Sequence, residues 1–238
     1  MSLPAPVLLF AEVVDTKDPD SLGRVQVKLI GYGAELKLPW LRLLQGYASN
    51  SFGAFLLPEK GDEVVVLCGA GSEPDGMVIL GSVYNGKLKP KTPDDGKNNL
   101  KQILTRSGHL VSLNDEDGKE QIDIVASGET VFIRLVKKDG LVQVEADKDL
   151  KVKTGNSVVI ETDGEITVNA AKAITVKSND KIVVQGKDVE VKAQVKAVVE
   201  ASLVEVKGKS KVEISASGAC KVTANGPLEL KGAVVNIG

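Results

Sequence analysis

A short repeat in the C-terminal part of the chain restricts its possible folds more than any other feature. From Leu141 on, two apolar residues separated by one position recur every eight residues, beginning with Val142/Val144, and the register slips near Val189/Val191. A spacing of two within each pair predicts a β-strand with both side chains on one face. A fixed short period predicts an elongated architecture built from repeated units.

A single strand of this repeat cannot be stable alone. It buries an apolar stripe worth about 2–4 kcal/mol, whereas ordering eight residues costs about 8–16 kcal/mol in backbone entropy. Eight residues are too few to wrap a full coil, but they suffice for one side of a three-sided prism, which would also close the sheet edges. We therefore expect a homotrimer in which the paired residues meet on the axis. The predicted axis residues are Val142, Val144, Leu150, Val152, Val158, Ile160, Ile166, Val168, Ile174, Val176, Ile182, Val184, Val204, Val206, Val212 and Ile214.

The first part of the chain has a different composition. All the aromatic residues lie at or before Phe132, and every proline except Pro227 lies at or before Pro93. Short apolar runs separated by turn residues predict a small all-β barrel or sandwich. The expected strands are Leu8–Val14, Arg24–Ile30, Leu38–Leu44, Ala54–Leu57, Val64–Leu67 and Met77–Tyr84.

A connector and a second strand pair lie between the two parts. Lys89–Asn99 is rich in Lys, Pro, Asp and Asn, which favours a linker. Leu110–Leu113 and Gln121–Val125 alternate in strand fashion, and Asp115–Gly118 between them predicts a hairpin loop. We therefore divide the chain into three parts, which are residues 1–88, 89–140 and 141–238.

The charge pattern argues against a polyanion-binding protein. The net charge is −2, and residues 141–238 carry 14 Lys or Arg and 13 Asp or Glu. No basic field or stripe therefore favours nucleic acid. We expect neither a signal peptide nor a membrane-spanning segment, because no apolar run is long enough. Cys68 and Cys220 have no metal or redox spacing, which favours two small buried residues in a reducing compartment.

No group of residues forms a recognisable catalytic, cofactor or metal site. His109 has no nucleophile motif beside it, and the acidic run Asp115–Asp117 lies on a turn that ends in Gly118, which favours solvated charges. The glycine-rich stretch Gly69–Ser72 lacks the lysine of a phosphate-binding loop. We expect Trp40 to lie in the barrel core or at a trimer contact rather than to stack on a nucleic-acid base. We predict that the protein is not an enzyme.

Several motifs occur in a fixed order within residues 1–88, namely Gly23–Val27, Leu38–Arg42, Gly53–Val64 and Val78–Gly86. With these motifs, the region resembles the oligosaccharide/oligonucleotide-binding (OB-fold) domain of phage baseplate spikes and type VI secretion VgrG proteins. Thr105–Leu110, followed by Asp115–Ile124, resembles the neck of these spikes, and the octads resemble their intertwined triple-stranded β-helix.

The resemblance implies a structural role and several partners. It implies an all-β homotrimer, with an N-terminal OB-fold barrel followed by a β-helix needle that pierces a target envelope when a sheath contracts. It also implies assembly in the bacterial cytoplasm into a phage tail or phage-tail-like particle, and only transient membrane contact. Because no hub-like region precedes the OB fold, a separate hub protein is expected at that end, unless this is a fragment.

Two features found in some members of this family are missing, and the C-terminal end suggests a binding partner. The chain lacks a lysozyme region, and His109, the only histidine, is far from the C-terminus, so no histidine-held iron is expected at the tip. The apolar end, with Val234, Val235 and Ile237, favours docking of a PAAR-type tip protein. The alternative is an OB-fold binding module for glycan or nucleic acid on a trimeric β-stalk.

Overall fold

The computed structural model describes residues 5–32, 36–69, 76–92 and 95–237. It divides the chain into two units, Met1–Ser157 and Val158–Gly238. The regular elements in the described ranges are β-strands, so the predicted all-β class is confirmed.

A closed five-stranded barrel forms the N-terminal part of the first unit. Its strands pair in the order β1-β2-β3-β7-β6, and the short parallel contact between β3 and β7 closes the ring. This closed barrel confirms the predicted OB-type fold. The strands are β1 (Val7–Asp15), β2 (Val25–Leu29), β3 (Lys37–Leu43), β6 (Glu63–Cys68) and β7 (Met77–Ser82).

The barrel core is built from small branched residues. In β2, Val25, Val27 and Leu29 are buried and alternate with half-buried Gln26 and Lys28, as expected where every second side chain points inward. No aromatic side chain belongs to this core among the described residues. The buried core residues are Ala11, Val13, Val25, Val27, Leu29, Leu41, Val64, Val66 and Ile79.

A small hairpin replaces one of the predicted strands. The run Ala54–Leu57 forms no strand, and the local pairing is instead β4 (Ala48–Ser49) with β5 (Phe52–Gly53). A Cβ on Gly53 would lie 2.6 Å from the Tyr47 carbonyl oxygen, and Ala54 N–H donates to that same oxygen at 2.8 Å. The chain therefore turns back on itself here, because glycine tolerates this close backbone approach and the positive φ.

An antiparallel meander of five strands follows the barrel. The strands pair in the order β12-β11-β10-β9-β8. Sequence patterns predicted β9 and β10 but missed β8 and β11. The strands are β8 (Leu100–Leu104), β9 (Leu110–Asn114), β10 (Gln121–Val125), β11 (Phe132–Val136) and β12 (Leu141–Glu145).

Bends recur at regular intervals in the rest of the chain. Across residues 146–237, all of which are described, the backbone makes no strand pairing or helix, and every residue is exposed. Bends lie at 147–148, 155–156, 163–164, 171–172, 179–180 and 187–188. The eight-residue spacing of the apolar pairs is thus also the spacing of the backbone bends. The octads nevertheless bury almost nothing within one chain.

Candidate functional site

The five-stranded meander presents a continuous apolar face to solvent. Two rows of side chains cross the sheet in register, one from Lys101 to Val142 and the other from Ile103 to Val144. Lys101, at the edge of the first row, is the only charged member. The apolar members, each at least 40% exposed, are Ile103, Val111, Leu113, Ile122, Ile124, Ile133, Leu135, Val142 and Val144.

The opposite face of this sheet is polar along its centre. Ser112 is buried, and the Arg134 guanidinium donates to the half-buried Asp123 carboxylate at 2.7 Å. The Gln121 amide donates to the second oxygen of Asp123 at 2.6 Å, and Arg134 also lies 4.8 Å from the centre of the Phe132 ring. The polar groups are satisfied within one chain, whereas the apolar face is not covered. A contiguous apolar face that is left exposed typically marks an interaction surface.

The first octad pair coincides with the end of the two apolar rows. Val142 and Val144 are at once the last members of the two rows and the first predicted axis pair. The axis residues predicted from the sequence are between 49% and 80% exposed. None of them forms a core within one chain, and their role on a trimer axis stays a prediction.

In the later octads, charged residues alternate with the apolar residues along the chain and form ion pairs with one another. Glu190 and Lys192 approach to 2.7 Å, and Glu205 and Lys207 to 2.5 Å. Lys211 pairs with Glu213, and Lys231 with Glu229, in the same arrangement. Residues two apart on an extended chain lie on one face, so each pair lies on the face opposite to its apolar neighbours. The repeat is thus two-sided, with one apolar side and one charged side.

Glycine occupies the connectors where the repeat shortens. The step from Val184 to Val189 and the step from Leu230 to Val235 each leave four connecting residues instead of five. Gly186 and Gly232 are the second residue of these connectors. A Cβ on either would lie 3.1 Å from the carbonyl oxygen two residues ahead and 3.7 Å from the valine Cγ2 three residues ahead. The two shortened connectors therefore share one tight local geometry.

Gly208 makes the closest approach of all the glycines in the octads. A Cβ at this position would lie 2.5 Å from the Lys211 carbonyl oxygen and 2.8 Å from Val212 Cγ2. By contrast, a Cβ on Gly218 or Gly226 would meet nothing within 4 Å. Glycine is thus sterically required at some connectors and not at others.

The barrel has its own uncharged exposed surface. Residues 43–58 contain no Asp, Glu, Lys or Arg, and they include Tyr47, Phe52 and Phe55, each at least 60% exposed. The Tyr47 and Phe52 rings are 5.8 Å apart. Phe52 and Phe55 line an open cleft of about 890 Å³ together with the loop that carries Leu22. Charge depletion and exposed aromatic residues are typical of the buried centre of protein interfaces.

An ion-pair network fixes the loop between β1 and β2. The Asp18 carboxylate accepts hydrogen bonds from the backbone N–H groups of Asp20, Leu22 and Arg24 and from the Arg24 guanidinium, at 2.6–3.1 Å. The Arg24 guanidinium, followed by these backbone donors, holds the pKa of Asp18 well below its usual range despite the opposing effect of burial. Asp18 and Asp20 in turn raise the pKa of Arg24. Arg24 therefore serves the loop structure.

The other candidate site residues have local structural roles. His109 Nδ1 accepts a hydrogen bond from the Ser127 N–H at 3.1 Å. Asp115 pairs with Lys101 at 2.7 Å, and Glu116 pairs with Lys119 at 2.8 Å. Trp40 is half-buried in β3. Residues 70–72 of the glycine-rich stretch lie outside the described residues, as does Gly238.

The C-terminal apolar residues are exposed, like the octads before them. Val234, Val235 and Ile237 are 76%, 48% and 86% exposed. No cluster of three or more His, Cys, Asp or Glu residues suited to a metal ion occurs in the described part of the chain. The described residues also include no helix that is long and apolar enough to cross a membrane.

Comparison with known proteins identifies the barrel. Residues 9–84 match the family model for the type VI secretion system/phage-baseplate injector OB domain. The chain is 29% identical over 143 residues to the actin cross-linking toxin VgrG1 of Vibrio cholerae, and this match covers 56% of the chain and 13% of the toxin. It is 29% identical over 117 residues to the type VI secretion system spike protein VgrG4b of Pseudomonas aeruginosa, which covers 45% of the chain and 14% of that protein. The chain thus spans less than a fifth of the length of these relatives.

Residues 9–84 thus combine a closed five-stranded barrel with similarity to the injector OB domain. The predicted likeness to VgrG-like baseplate spikes is thereby confirmed.

Proposed function

We propose that this chain is the structural central spike of a contractile injection system or phage tail baseplate. In this proposal it acts as a homotrimer, pierces the target envelope when the sheath contracts, and has no enzymatic activity of its own. The division into residues 1–88, 89–140 and 141–238 then corresponds to a barrel, a neck and a needle. The injector OB domain at residues 9–84 supports the placement in a baseplate.

The observation that best supports a trimer is the uncovered apolar surface of the single chain. The apolar rows of the meander end on Val142 and Val144, and the same spacing of paired residues continues through the octads. Residues 146–237 bury almost nothing within one chain, so nothing in a lone chain offsets the entropy cost of ordering them. Three copies meeting on these residues would cover the apolar side and leave the ion pairs in water.

The same surface suits a mechanical role. An axis closed by β-branched residues and ladder hydrogen bonds from neighbouring chains transmits load along its length. The charged side of the octads remains solvated, with nearly balanced charges. A shaft of this kind needs no catalytic residues, which agrees with the structural roles of His109 and the Asp115–Asp117 turn.

Two protein partners follow from the proposal. A separate baseplate hub protein binds at the OB-fold end, for which the uncharged surface of residues 43–58 is suited. A PAAR-type tip protein binds at the C-terminus, where three copies of Val235 and Ile237 would otherwise leave an apolar cross-section open to water. Assembly takes place in the bacterial cytoplasm, and contact with the target membrane is transient.

A nucleic-acid-binding role for the barrel has less support. The barrel contains two arginines, Arg24 and Arg42, and Arg24 is held by Asp18 and Asp20. Single-stranded nucleic-acid sites instead combine a basic groove with aromatic stacking platforms. The exposed Phe52 and Phe55 belong to an uncharged segment, and the cleft that they line has two basic side chains, Lys17 and Arg42, with the acidic Asp18 beside them. The barrel therefore fits a protein contact better than a phosphate backbone.

Deletion of the gene from the genome that encodes the chain tests the proposed function. The deletion strain is complemented with the wild-type chain, with Val176→Asp or with the matched surface variant Lys177→Asp. Electron microscopy scores assembled sheaths or tails, and a competition or infection assay scores activity on target cells. We expect that only the wild type and Lys177→Asp restore both. Normal particles with full activity in the deletion strain would contradict a central-spike function.

A further inference from the structure

The chain contains two Asn-Gly dipeptides in very different surroundings. Asn85-Gly86 follows the barrel strand β7, and Asn225-Gly226 lies in a late octad connector. Asn-Gly is the dipeptide in which a side-chain amide reacts most easily with the next backbone nitrogen, because glycine has no Cβ to crowd the attack. Whether it reacts in a folded protein depends on how firmly the asparagine is held.

The side chain of Asn85 is held at both ends. Its Oδ1 accepts hydrogen bonds from the N–H groups of Lys87 at 2.8 Å and Leu88 at 2.7 Å. Its Nδ2 donates to the Glu63 carboxylate at 2.5 Å, and its own backbone N–H donates to the Leu88 carbonyl at 2.8 Å. Asn85 is also half-buried. Swinging Cγ onto the Gly86 nitrogen would break these contacts.

Asn225 has none of these restraints. It is exposed in a bend at residues 225–226, and its side chain makes no hydrogen bond within the described residues. No atom lies within 4 Å of the position that a Cβ on Gly226 would take. Within one chain, the Asn225 side chain and the Gly226 backbone are therefore open to solvent.

We propose that Asn225-Gly226 is a site of spontaneous deamidation and isoaspartate formation, whereas Asn85-Gly86 is protected by the fold. The deprotonated Gly226 nitrogen forms a bond to Asn225 Cγ, the bond from Cγ to the amide nitrogen breaks, and ammonia leaves. Water then opens the resulting cyclic imide at either carbonyl and gives aspartate or isoaspartate. The net change replaces the amide NH2 with a hydroxyl, which ionises, and no oxidant or reductant takes part.

The modification would change the last octads in two ways. Residues 219–237 carry Lys221, Glu229 and Lys231, so one new carboxylate takes this segment from a net charge of +1 to neutral. Isoaspartate also lengthens the backbone by one carbon within a connector that precedes the pair Leu228/Leu230. Both effects require that this connector also lies on the outside of the proposed trimer, and the conversion rates measured below report that exposure independently of spike activity.

The test compares the two sites within the same molecule. The full-length protein is incubated at mildly alkaline pH and physiological temperature, and peptide mass spectrometry that separates isoaspartate follows both asparagines. We expect Asn225 to convert roughly tenfold faster than Asn85 or more, a ratio that corresponds to a modest difference in activation free energy. In denaturant, where both dipeptides are released, the two rates should become similar.

A variant separates the chemistry from a general change in the fold. Gly226→Ala should fold normally, because beyond the two adjacent residues the added Cβ meets no atom within 4 Å and the φ of Gly226 is not positive. The added methyl group should slow conversion at Asn225 roughly tenfold, because it crowds the attacking nitrogen. Equal native-state rates at Asn85 and Asn225, or an unchanged rate in Gly226→Ala, would overturn the proposal.

Discussion

Val144 in β12 lies directly opposite Ile133 in β11 in the antiparallel register. Both side chains belong to one exposed apolar row, and both are more than 40% exposed. Val144 is also a member of the first octad pair, so the surface that the octads leave uncovered begins within a hydrogen-bonded sheet. The proposed trimer contact therefore starts on a preformed β-surface, which would fix the starting register of the octads.

The facing of the octad residues can be tested with two neighbouring substitutions. Val176→Asp should prevent trimer assembly, because three carboxylates would meet on an apolar axis at a cost of several kcal/mol each. Lys177→Asp changes a side chain on the charged side, where a substitution usually changes stability by about 0.5 kcal/mol or less. Thermal unfolding and size-exclusion chromatography report the result. Equal behaviour of the two variants would refute the facing assignment.

The close approach at Gly208 predicts a steric requirement. Gly208→Ala should destabilise the assembled protein by about 1–3 kcal/mol, the usual cost of forcing extra atoms into an occupied space. Gly218→Ala is the matched control, because its Cβ would meet nothing within 4 Å. It should be neutral or stabilising by up to about 1 kcal/mol through reduced freedom of the unfolded chain. Denaturation midpoints at equal protein concentration check both, and a tolerated Gly208→Ala would mean that this connector is not tight.

The Asp18 network predicts a pH dependence of barrel stability. Because the native pKa of Asp18 is lowered by Arg24, the carboxylate stabilises the fold above its unfolded pKa of about 4. This stabilisation is lost as the pH falls from there toward the lower native pKa. Trp40 fluorescence follows the barrel alone, since Trp40 is the only tryptophan and lies in β3. The midpoint of unfolding should therefore fall with decreasing pH in the wild type.

Two variants identify the carboxylate that causes this pH dependence. Asp18→Asn should lower the Trp40 unfolding midpoint at neutral pH and flatten its decline in acid, because the titrating group is gone. Asp20→Asn, which removes the more exposed carboxylate partner of Arg24, should keep most of the decline. An acid profile of Asp18→Asn that matches the wild type would exclude Asp18 as its source.

Truncation tests the proposed tip contact. Removal of residues 228–238 should leave a trimer, because the octads before Leu228 remain, but it should abolish binding of the cognate tip protein. The measurement is co-purification of the tip protein with full-length or truncated chain. Equal recovery with both would show that these residues only seal the end of the shaft.

The barrel could be predicted from the sequence because its strands alternate. Val25, Val27 and Leu29 are separated by polar residues, and the structure buries the three apolar side chains and leaves the polar ones half-exposed. Ala54–Leu57 failed as a predicted strand because its apolar run has no alternation and follows Gly53, whose positive φ turns the chain. A continuous apolar run is ambiguous without its neighbours.

The apolar face of the meander was harder to foresee. Leu100–Leu104 follows a polar connector, and Phe132–Val136 lies between turns, so neither has a distinctive pattern of its own. Only the register of the sheet shows which of their side chains share a face, because it places Ile103 and Ile133 in one row across the strands. The octad pairs could be located from the sequence, but a single chain leaves their apolar side uncovered, and the proposed covering surface on other copies is not specified by one sequence.

The mass of the purified protein in solution tests the central claim most directly. Sedimentation equilibrium at micromolar concentration gives this mass independently of molecular shape. We predict a single species with three times the chain mass of 25.1 kDa, which persists on dilution because the octads can dissociate only together. A species with the mass of one chain at that concentration would contradict the trimeric spike.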